Sequence, residues 1–241
     1  MILGVMGQAR VGKDTFADYL VARYGFVRIA LADPIKRIAM ELYDMSEEQL
    51  WGDDKEKPDM RYPMPGKGFL TPRVACQIIG TEVVRNLYPD TWVDVFKKTS
   101  QAVLSGSHFY TRTSGLQPNK RIRRFFTKNP QGVICSDCRF KNEVKGLHEV
   151  GGKVVRLIRS GKDGSVGVKG HASEEEQKTI LDSELDGVIQ VPEGIGIIKP
   201  VNLVAHSLEG LVPHIMDEGK GIACAGITKL VTPDDNLLEF R

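Results

Sequence analysis

Short apolar runs alternate along this chain with segments of helical periodicity, up to about residue 191. Ile2–Met6 is entirely apolar, which predicts a buried strand, and Phe16, Leu20 and Tyr24 then recur at the spacing of one helix face. The same criteria predict further strands over residues 26–31, 132–136, 153–158 and 186–191, and further helices that begin at Asp33, Ser46, Thr71 and Asp90 or cover residues 142–150 and 173–181.

Polar residues indicate where the helices begin. Asp33 is expected to cap a helix whose first turn contains Pro34, and Ser46 precedes Gln49 at the spacing of a capping box. Asp90 is expected to cap the helix that carries Trp92. Thr71, followed by proline, begins a further helix.

Three segments lack this periodicity. Residues 53–70 are rich in Pro, Gly, Asp and Lys and predict a loop. Residues 105–131 are irregular and basic, and we interpret them as an insertion. Residues 192–241 predict a helix over 206–218 followed by a loose tail.

Strands separated by helices predict an α/β fold with a parallel sheet flanked by helices on both faces. Ligands of such folds bind beyond the carboxyl ends of the strands. Because Gly7, Asp33 and Asp137 all follow predicted strands, we expect the functional site at this edge of the sheet.

A phosphate-binding loop (P-loop) is predicted directly after the first strand, over residues 7–15, GQARVGKDT. Gly7 and Gly12 let the backbone turn its N–H groups toward an anion, with the N-terminus of a helix behind them. Lys13 would contact the β- and γ-phosphates as a mobile positive charge. These features predict a nucleoside triphosphate site.

The loop departs from the usual pattern at the residue after the lysine. Asp14 occupies the position that normally offers a hydroxyl group to Mg²⁺, and Thr15 follows it. Either the Asp14 carboxylate binds the metal, directly or through water, or Thr15 shares that role. We therefore expect Mg²⁺ as cofactor.

A second group of polar residues follows the strand predicted at residues 132–136. Asp137 could hold water ligands of Mg²⁺, and Arg139 could direct its planar guanidinium at phosphate oxygens. Glu143 could orient an arginine or bind a sugar hydroxyl. The alternative is structural, with Asp137 capping the next turn and Arg139 and Glu143 forming a surface pair.

Other candidates lie near the strand ends. Lys36, in the first turn of a helix, could bind an acceptor phosphate or be an exposed lysine. Arg159 ends a strand before a glycine-rich segment, 161–170, and is placed like an arginine on a closing lid. A polar stripe on one helix face is the remaining candidate, and solvent exposure would explain it nearly as well: it comprises Arg73, Gln77 and Thr81.

An ordered set of motifs resembles the phage-type deoxynucleoside monophosphate kinases, and the set covers about residues 1–190. Each motif is weak alone, whereas their order and spacing are fairly specific. The motifs are Gly12-Lys13-Asp14-Thr15, Leu31-Ala32-x-Pro34-Ile35-Lys36, Gln77-x-x-Gly80-Thr81 with Trp92-Val93, Asp137-x-Arg139-x-x-x-Glu143, and His171-x-x-Glu174.

The resemblance implies an adenylate-kinase-like fold that transfers a phosphoryl group from ATP to a deoxynucleoside monophosphate. It implies a single P-loop kinase domain over residues 1–241, with an acceptor-binding lobe within 34–131, a lid at 159–175 and a C-terminal extension at 192–241. The basic insertion, about 105–128, and the extension have no evident counterpart in the family. The oligomeric state is therefore left open, with a homodimer as one alternative.

The resemblance and the motifs together assign the site residues. The proposed catalytic cations are Lys13, Arg10, Arg139 and Arg159. ATP would be bound by Gly7, Arg10, Gly12, Lys13, Asp14 and Thr15, and the metal by Asp14, Thr15 and Asp137. The acceptor would be bound by Ile35, Lys36, Arg73, Gln77, Gly80, Thr81, Trp92, Asp137, Arg139, Glu143 and Glu174.

Composition adds an expected location. The chain has 41% hydrophobic and 27% charged residues and lacks an apolar run long enough to span a membrane, so we expect no membrane partner. We expect a cytoplasmic protein, in the host cytoplasm if a phage encodes it. Four cysteines, with Cys135 and Cys138 at a strand end, indicate buried thiols rather than disulfides or a zinc site.

Charge leaves competing functions open. No acidic residue lies between Asp94 and Asp137, a segment that contains many lysines and arginines. Such a block could bind nucleic acid, although no recognition motif accompanies it, and we favour a solvated lobe or a rim that attracts nucleotide phosphates. A P-loop kinase of dephospho-coenzyme A or phosphomevalonate is the main alternative, and a DNA-binding NTPase module is a weaker one.

Overall fold

A five-stranded parallel sheet forms the centre of the computed structural model. The structure describes residues 1–118, 130–159 and 172–191. For residues 159, 172–174, 190 and 191 it describes the backbone alone. The predicted α/β fold, a parallel sheet flanked by helices, is confirmed. In sheet order the strands are β2 (Phe26–Arg28), β7 (Gly132–Cys135), β1 (Ile2–Met6), β8 (Lys153–Arg159) and β9 (Gly187–Val191).

The described residues also form seven α-helices and two β-hairpins. The helices are α1 (Lys13–Tyr24), α2 (Asp33–Tyr43), α3 (Glu47–Trp51), α4 (Pro72–Gln77), α5 (Thr91–Leu104), α6 (Lys141–Glu149) and α7 (Ala172–Thr179). The hairpins are β3 (Pro63–Met64) with β4 (Gly68–Phe69), and β5 (His108–Thr111) with β6 (Gly115–Pro118). Short 3₁₀ turns occur at Asp53–Glu56 and Asp182–Glu184, and α4 continues as a π-helical segment, Ile78–Arg85.

Both faces of the sheet are buried, which explains why β1 is apolar throughout. Leu3 and Val5 point to the face covered by α1, where they join Phe16 and Leu20. Alternate residues of the same strand point to the opposite face, which α5 and α6 cover. The strands β1, β2, β7 and β8 therefore each contribute to two apolar clusters, whereas the buried Ile189 of β9 joins only the cluster on the α1 face.

A third apolar cluster lies outside the sheet and joins α2, α3 and α4. It contains Ala39, Met45, Leu50, Leu70, Ala75 and Ile79. This cluster supports the segment in which most acceptor-binding residues were predicted.

The segment predicted as a loop, 53–70, contains a 3₁₀ turn and the β3–β4 hairpin. The buried carboxylate of Asp59 organises it by accepting hydrogen bonds from Arg61 and from the Gln49 amide. The side-chain hydrogen bond from Arg61 is the main reason why the pKa of Asp59 lies well below its usual range. Such contacts between polar side chains leave no periodic pattern in the sequence.

The basic insertion also contains structure that periodicity did not predict. Residues 108–118 form the β5–β6 hairpin, which packs against α5. Residues 119–129, which carry much of its positive charge, lie outside the described part of the chain. The predictions for residues 192–241 lie outside it as well.

The second strand was predicted too long. β2 ends at Arg28, and Ile29 still donates its N–H group to Ile134, at 2.9 Å. The backbone N–H groups of Leu31 and Ala32 then turn to the carboxylate of Asp137, both at 2.9 Å. This side chain replaces the neighbouring strand as the hydrogen-bond acceptor, and the strand stops.

Two predicted helix caps were wrong in detail. Asp33 lies in the first turn of α2, after the N-cap residue Ala32, and makes no capping bond. Its buried carboxylate instead accepts hydrogen bonds from the Ala30 N–H group, the Trp51 indole and the Tyr110 hydroxyl. Asp90 does occupy the N-cap position of α5, but its carboxylate accepts from the side-chain amide of Asn142.

Other local predictions are confirmed. Ser46 forms the capping box with Gln49, and the Thr71 hydroxyl accepts from the Val74 N–H group. Cys135 and Cys138 are free, buried thiols, and burial raises the pKa of Cys135 well above its usual value. Within residues 1–118, 130–159 and 172–191, no helix has the length and apolar character needed to cross a membrane.

Candidate functional site

The loop between β1 and α1 has the backbone of an anion-binding turn. Gly7, Arg10 and Gly12 all have positive φ angles, of 142°, 62° and 109°. The ammonium group of Lys13 lies 2.6 Å from the carbonyl oxygens of both Gly7 and Gln8. The loop therefore holds its lysine folded over the N-terminus of the twelve-residue helix α1.

The two glycines of the loop are required for different reasons. A Cβ atom on Gly7 would lie 2.5 Å from the carbonyl oxygen of Leu157 in β8, so the loop lies directly against the neighbouring strand. A Cβ atom on Gly12 would meet no atom of the described residues within 4 Å. Only the left-handed backbone conformation requires glycine at the second position.

Asp14 lies in the first turn of α1, and its carboxylate is 76% exposed. It pairs with Arg28 at the end of β2, and that arginine also contacts Asp18 at 3.1 Å. The buried Ser136, which follows β7, donates its hydroxyl to the same Asp14 oxygen at 3.3 Å. An exposed carboxylate beside a hydroxyl group offers the hard oxygen ligands that Mg²⁺ prefers, so these residues fit the expected metal.

Asp137 begins the turn after β7. Its two carboxylate oxygens each accept a backbone N–H group from the segment before α2, and the Cys135 thiol lies 3.1 Å from one of them. Asp137 therefore connects the strand next to β1 with the start of α2. It does not cap the turn that follows it, which the structural alternative had required.

The turn between β7 and α6 is held by a buried carboxylate. One oxygen of Glu143 accepts the backbone N–H groups of Arg139 and Phe140, at 2.6 and 3.0 Å. The other accepts from the Arg85 guanidinium at 2.5 Å. Burial raises the pKa of Glu143, while the positive charge of Arg85 acts against this rise.

Lys36 lies over the ring of Trp51, with its ammonium nitrogen 5.3 Å from the ring centroid. Burial lowers the pKa of Lys36. The indole N–H of Trp51 donates to Asp33 at 2.8 Å, and the hydroxyl of Tyr110 reaches the same carboxylate at 2.9 Å. The positive charge of Lys36, in the first turn of α2, thus lies over an aromatic ring at the end of α3.

The predicted polar stripe extends over two kinds of helix. It begins in α4, which ends at Gln77, and continues into the π-helical segment that begins at Ile78. π-Helical turns are rare and frequently occur at functional sites. Within this segment, the carbonyl oxygen of Gly80 accepts from the indole of Trp92 at 2.9 Å. A Cβ atom on Gly80 would lie 2.7 Å from Ile35, so this turn packs closely against α2.

Sequence comparisons place these features among known proteins. The family model described as "Deoxynucleotide monophosphate kinase" matches residues 1–62. A protein of Acanthamoeba polyphaga mimivirus named "Putative deoxynucleotide monophosphate kinase" is 33% identical over an alignment of 168 residues. The alignment covers 67% of this chain and 75% of that protein.

This chain belongs to the deoxynucleotide monophosphate kinase family. The resemblance inferred from the motifs is confirmed, and with it the assignment to the nucleotide kinases, which are phosphotransferases. Two solved structures align over most of the chain. Shikimate kinase from Aquifex aeolicus vf5 is 14% identical and covers 88% of this chain and 98% of its own, with a TM-score of 0.44. Dephospho-CoA kinase from Campylobacter jejuni is 12% identical and covers 89% of this chain and 98% of its own, with a TM-score of 0.39.

In this family member, the structure brings the two main motifs together. β1 and β7 are adjacent and parallel, so the P-loop and the turn that carries Asp137 and Arg139 emerge at the same edge of the sheet. The contact between Ser136 and Asp14 joins them directly. This proximity was predicted from the strand ends and is confirmed.

The structure corrects two predicted roles. Trp92 is 4% exposed and supports the backbone of Gly80, so its ring cannot stack on an acceptor base. Glu143 is 2% exposed with both oxygens occupied, so it cannot reach a sugar hydroxyl. Arg73 forms a partly exposed ion pair with Glu56, and its role in acceptor binding stays a prediction.

Other predicted roles remain predictions. Lys36 lies close to the strand ends, and Gln77, Thr81 and Ile35 lie on neighbouring turns. The side chains of Arg159 and Glu174 and the predicted lid residues 160–171 lie outside the described part of the chain.

The sequence interpretation missed several residues at this site. Arg85 was not among the candidates, because its partner Glu143 lies 58 residues away and no local pattern marks the contact. Ser136 and Arg28 surround Asp14 without any local motif. Only Ser136 had a usable signal, since it directly precedes Asp137 at a strand end.

Proposed function

We propose that this protein transfers the terminal phosphoryl group of ATP to a deoxynucleoside 5′-monophosphate, giving ADP and the deoxynucleoside diphosphate. The observation that carries the proposal is the juxtaposition of the P-loop with the Arg139 turn at the ends of the adjacent strands β1 and β7. Family membership supports a nucleotide as the acceptor.

On the donor side, the loop N–H groups and the N-terminus of α1 would bind the phosphates of ATP. Lys13 would exchange its contacts with the loop carbonyls for the β- and γ-phosphate oxygens. The exposed Arg10, together with Arg139 and Arg159, would add positive charge around the transferred group. Charge neutralisation and positioning are the main sources of catalysis in phosphoryl transfer.

Asp14 is the best candidate for holding Mg²⁺, directly or through water. A Mg²⁺ ion held there would neutralise negative charge on the donor phosphates. Arg28 would then release Asp14 and keep its second partner, Asp18. Thr15, one residue further along α1, remains a candidate ligand, whereas the carboxylate oxygens of Asp137 already serve two backbone N–H groups and would act through their charge.

On the acceptor side, Lys36 would bind the monophosphate, because a partly buried ammonium group gains most from an anionic partner. Ile35, Gly80, Thr81 and Gln77 would surround the nucleotide on the neighbouring turns. The acceptor phosphate is itself an anionic nucleophile, so no strong general base is required. We further propose that residues 159–175 close over the site as a lid, with Glu174 on its return.

The setting of the reaction is part of the same proposal. We expect it to take place in the cytoplasm, that of the host if the gene belongs to a phage. No membrane or nucleic acid partner is needed for the chemistry, and a homodimer is compatible with it.

A coupled ADP-release assay with ATP and Mg²⁺ tests the proposal. Each deoxynucleoside monophosphate, its ribose counterpart, dephospho-coenzyme A and phosphomevalonate are offered separately, and a DNA-only reaction is included. We expect turnover with one or more deoxynucleotides above their ribose counterparts. Activity confined to another acceptor, or dependent on DNA, would refute the proposal and support the corresponding alternative.

A further inference from the structure

We infer that Arg85 and Glu143 form a positioning pair that fixes the backbone of Arg139 and links it to the π-helical segment carrying Gly80 and Thr81. The inference rests on the proposed function, in which Arg139 contacts the transferred phosphoryl group. Neither Arg85 nor Glu143 would touch a substrate.

The carboxylate of Glu143 is fully committed to protein groups. One oxygen accepts the N–H groups of Arg139 and Phe140, and the other accepts from Arg85. The side chain is 3% exposed. Because the Arg139 N–H is one of the bound groups, any shift of this carboxylate moves the backbone from which the Arg139 guanidinium extends.

Arg85 is held as firmly as its partner, with its side chain 13% exposed. Its guanidinium donates to Glu143 and, at 3.2 Å, to the side-chain oxygen of Asn142. The carbon of the guanidinium lies 3.7 Å from the centroid of the Phe140 ring. A side chain that stacks on a ring and donates two hydrogen bonds at once requires the planar group of arginine, which lysine cannot reproduce.

The pair joins two parts of the chain that the proposed reaction must align. Arg85 is the last residue of the π-helical segment, whereas Glu143 lies in the first turn of α6. The attraction between two buried charges is strong, and loss of one partner leaves the other charge without compensation. A displacement of the π-helical segment would therefore be transmitted to the Arg139 turn.

Kinetics of Arg85→Met test this role against a purely structural one. We expect kcat to fall at least tenfold with the KM for ATP unchanged within twofold, and Arg85→Lys to recover part of the loss. The matched control is Arg61→Met, because Arg61 also pairs with a buried carboxylate, Asp59, and lies over an aromatic ring, Tyr62. That control should keep kcat within twofold, with all rates measured well below each melting temperature.

The decisive comparison uses an Arg139→Ala background. If Arg85 acts through Arg139, adding Arg85→Met to Arg139→Ala should lower kcat by less than a further twofold. An equal fold-loss in both backgrounds would overturn the inference, since Arg85 would then act independently of Arg139.

Amide hydrogen exchange provides a readout that needs no substrate. In Arg85→Met and in Glu143→Gln, the amides of Arg139 and Phe140 should exchange at least tenfold faster, while those of β1 remain unchanged. Unaltered exchange at Arg139 would overturn the inference. If the wild-type protein phosphorylates no deoxynucleotide, the proposed function fails, and the exchange data still decide whether the pair holds this turn.

Discussion

At the scale of single residues, Lys13 provides a positive charge in the P-loop. Its ammonium group contacts two carbonyl oxygens of its own loop, each at 2.6 Å. A carbonyl oxygen carries only a partial negative charge, so it attracts the ammonium group less strongly than a fully charged phosphate oxygen does. An incoming triphosphate should therefore draw the lysine away from the loop.

Removing the proposed catalytic cations should abolish turnover while the fold persists. We expect Lys13→Ala and Arg139→Ala each to lower kcat on the order of 10³-fold, by analogy with other cations that stabilise phosphoryl transfer. Circular dichroism should show a folded protein in both cases, because neither side chain belongs to an apolar cluster. Near-normal rates in either variant would remove that residue from the mechanism.

Lys36 should make the reaction slower at alkaline pH. Burial lowers its pKa, so the ammonium group loses its proton at a lower pH than an ordinary lysine does. The value of kcat/KM for the acceptor, which reports groups of the free enzyme, should then fall as the pH rises through this pKa. Lys36→Arg keeps the charge and should flatten the profile in the alkaline range below the usual pKa of lysine. An identical fall in Lys36→Arg would exclude Lys36 as its cause.

Trp92 should matter for stability and leave the choice of base unaffected. Trp92→Phe removes the hydrogen bond to Gly80 and part of a buried ring, which should lower the free energy of unfolding by about 1–3 kcal/mol. Urea denaturation measures this loss. The ranking of acceptor bases should not change, and a changed ranking would contradict the burial of this residue.

At the scale of elements, the P-loop depends on two glycines with distinct requirements. Gly12→Ala should cost about 1–3 kcal/mol of stability through backbone strain alone, since its Cβ meets no described atom. Gly7→Ala should cost more, because its Cβ would also collide with the Leu157 carbonyl oxygen, which cannot rotate away. Urea denaturation of the two variants compares these costs. Equal losses would show that the contact with β8 is unimportant.

The periodicity of the sequence was sufficient to predict the parallel sheet and the proximity of the ends of its strands. The apolar character of β1 and of residues 132–135 predicted two buried strands, and they proved to be neighbours. Periodicity failed where a side chain replaced a backbone partner. Asp137 ended β2 early, and Asp33 turned inward to Trp51 and Tyr110 instead of capping its helix.

The candidate site was predictable in its parts and unpredictable in its connections. The P-loop and the Asp137–Arg139 turn have local motifs, because their chemistry requires particular residues at fixed spacing. The contact between Arg85 and Glu143 spans 58 residues and that between Asp14 and Ser136 spans 122. Such contacts depend on how the elements pack, and no short segment of sequence specifies them.

At the scale of the whole molecule, the proposed donor and acceptor groups rest on different apolar clusters, which Ile35, Ile38 and Val84 join. The P-loop extends from the two clusters of the sheet, whereas the helices that carry Lys36 and Gln77 share a third. The π-helical segment and the Asp137 carboxylate connect these parts. This arrangement suits a kinase that must align two nucleotides before the phosphoryl group moves.

A competition experiment tests the central claim most directly. All four deoxynucleoside monophosphates, their ribose counterparts, dephospho-coenzyme A and phosphomevalonate share one reaction with limiting ATP and Mg²⁺, and chromatography separates the products. Competition for the same enzyme gives the ratios of kcat/KM directly. We predict that deoxynucleoside diphosphates form in excess over all other products and that Lys13→Ala forms them on the order of 10³-fold more slowly. A mixture without deoxynucleoside diphosphates, or one dominated by another phosphorylated acceptor, would contradict the proposed function.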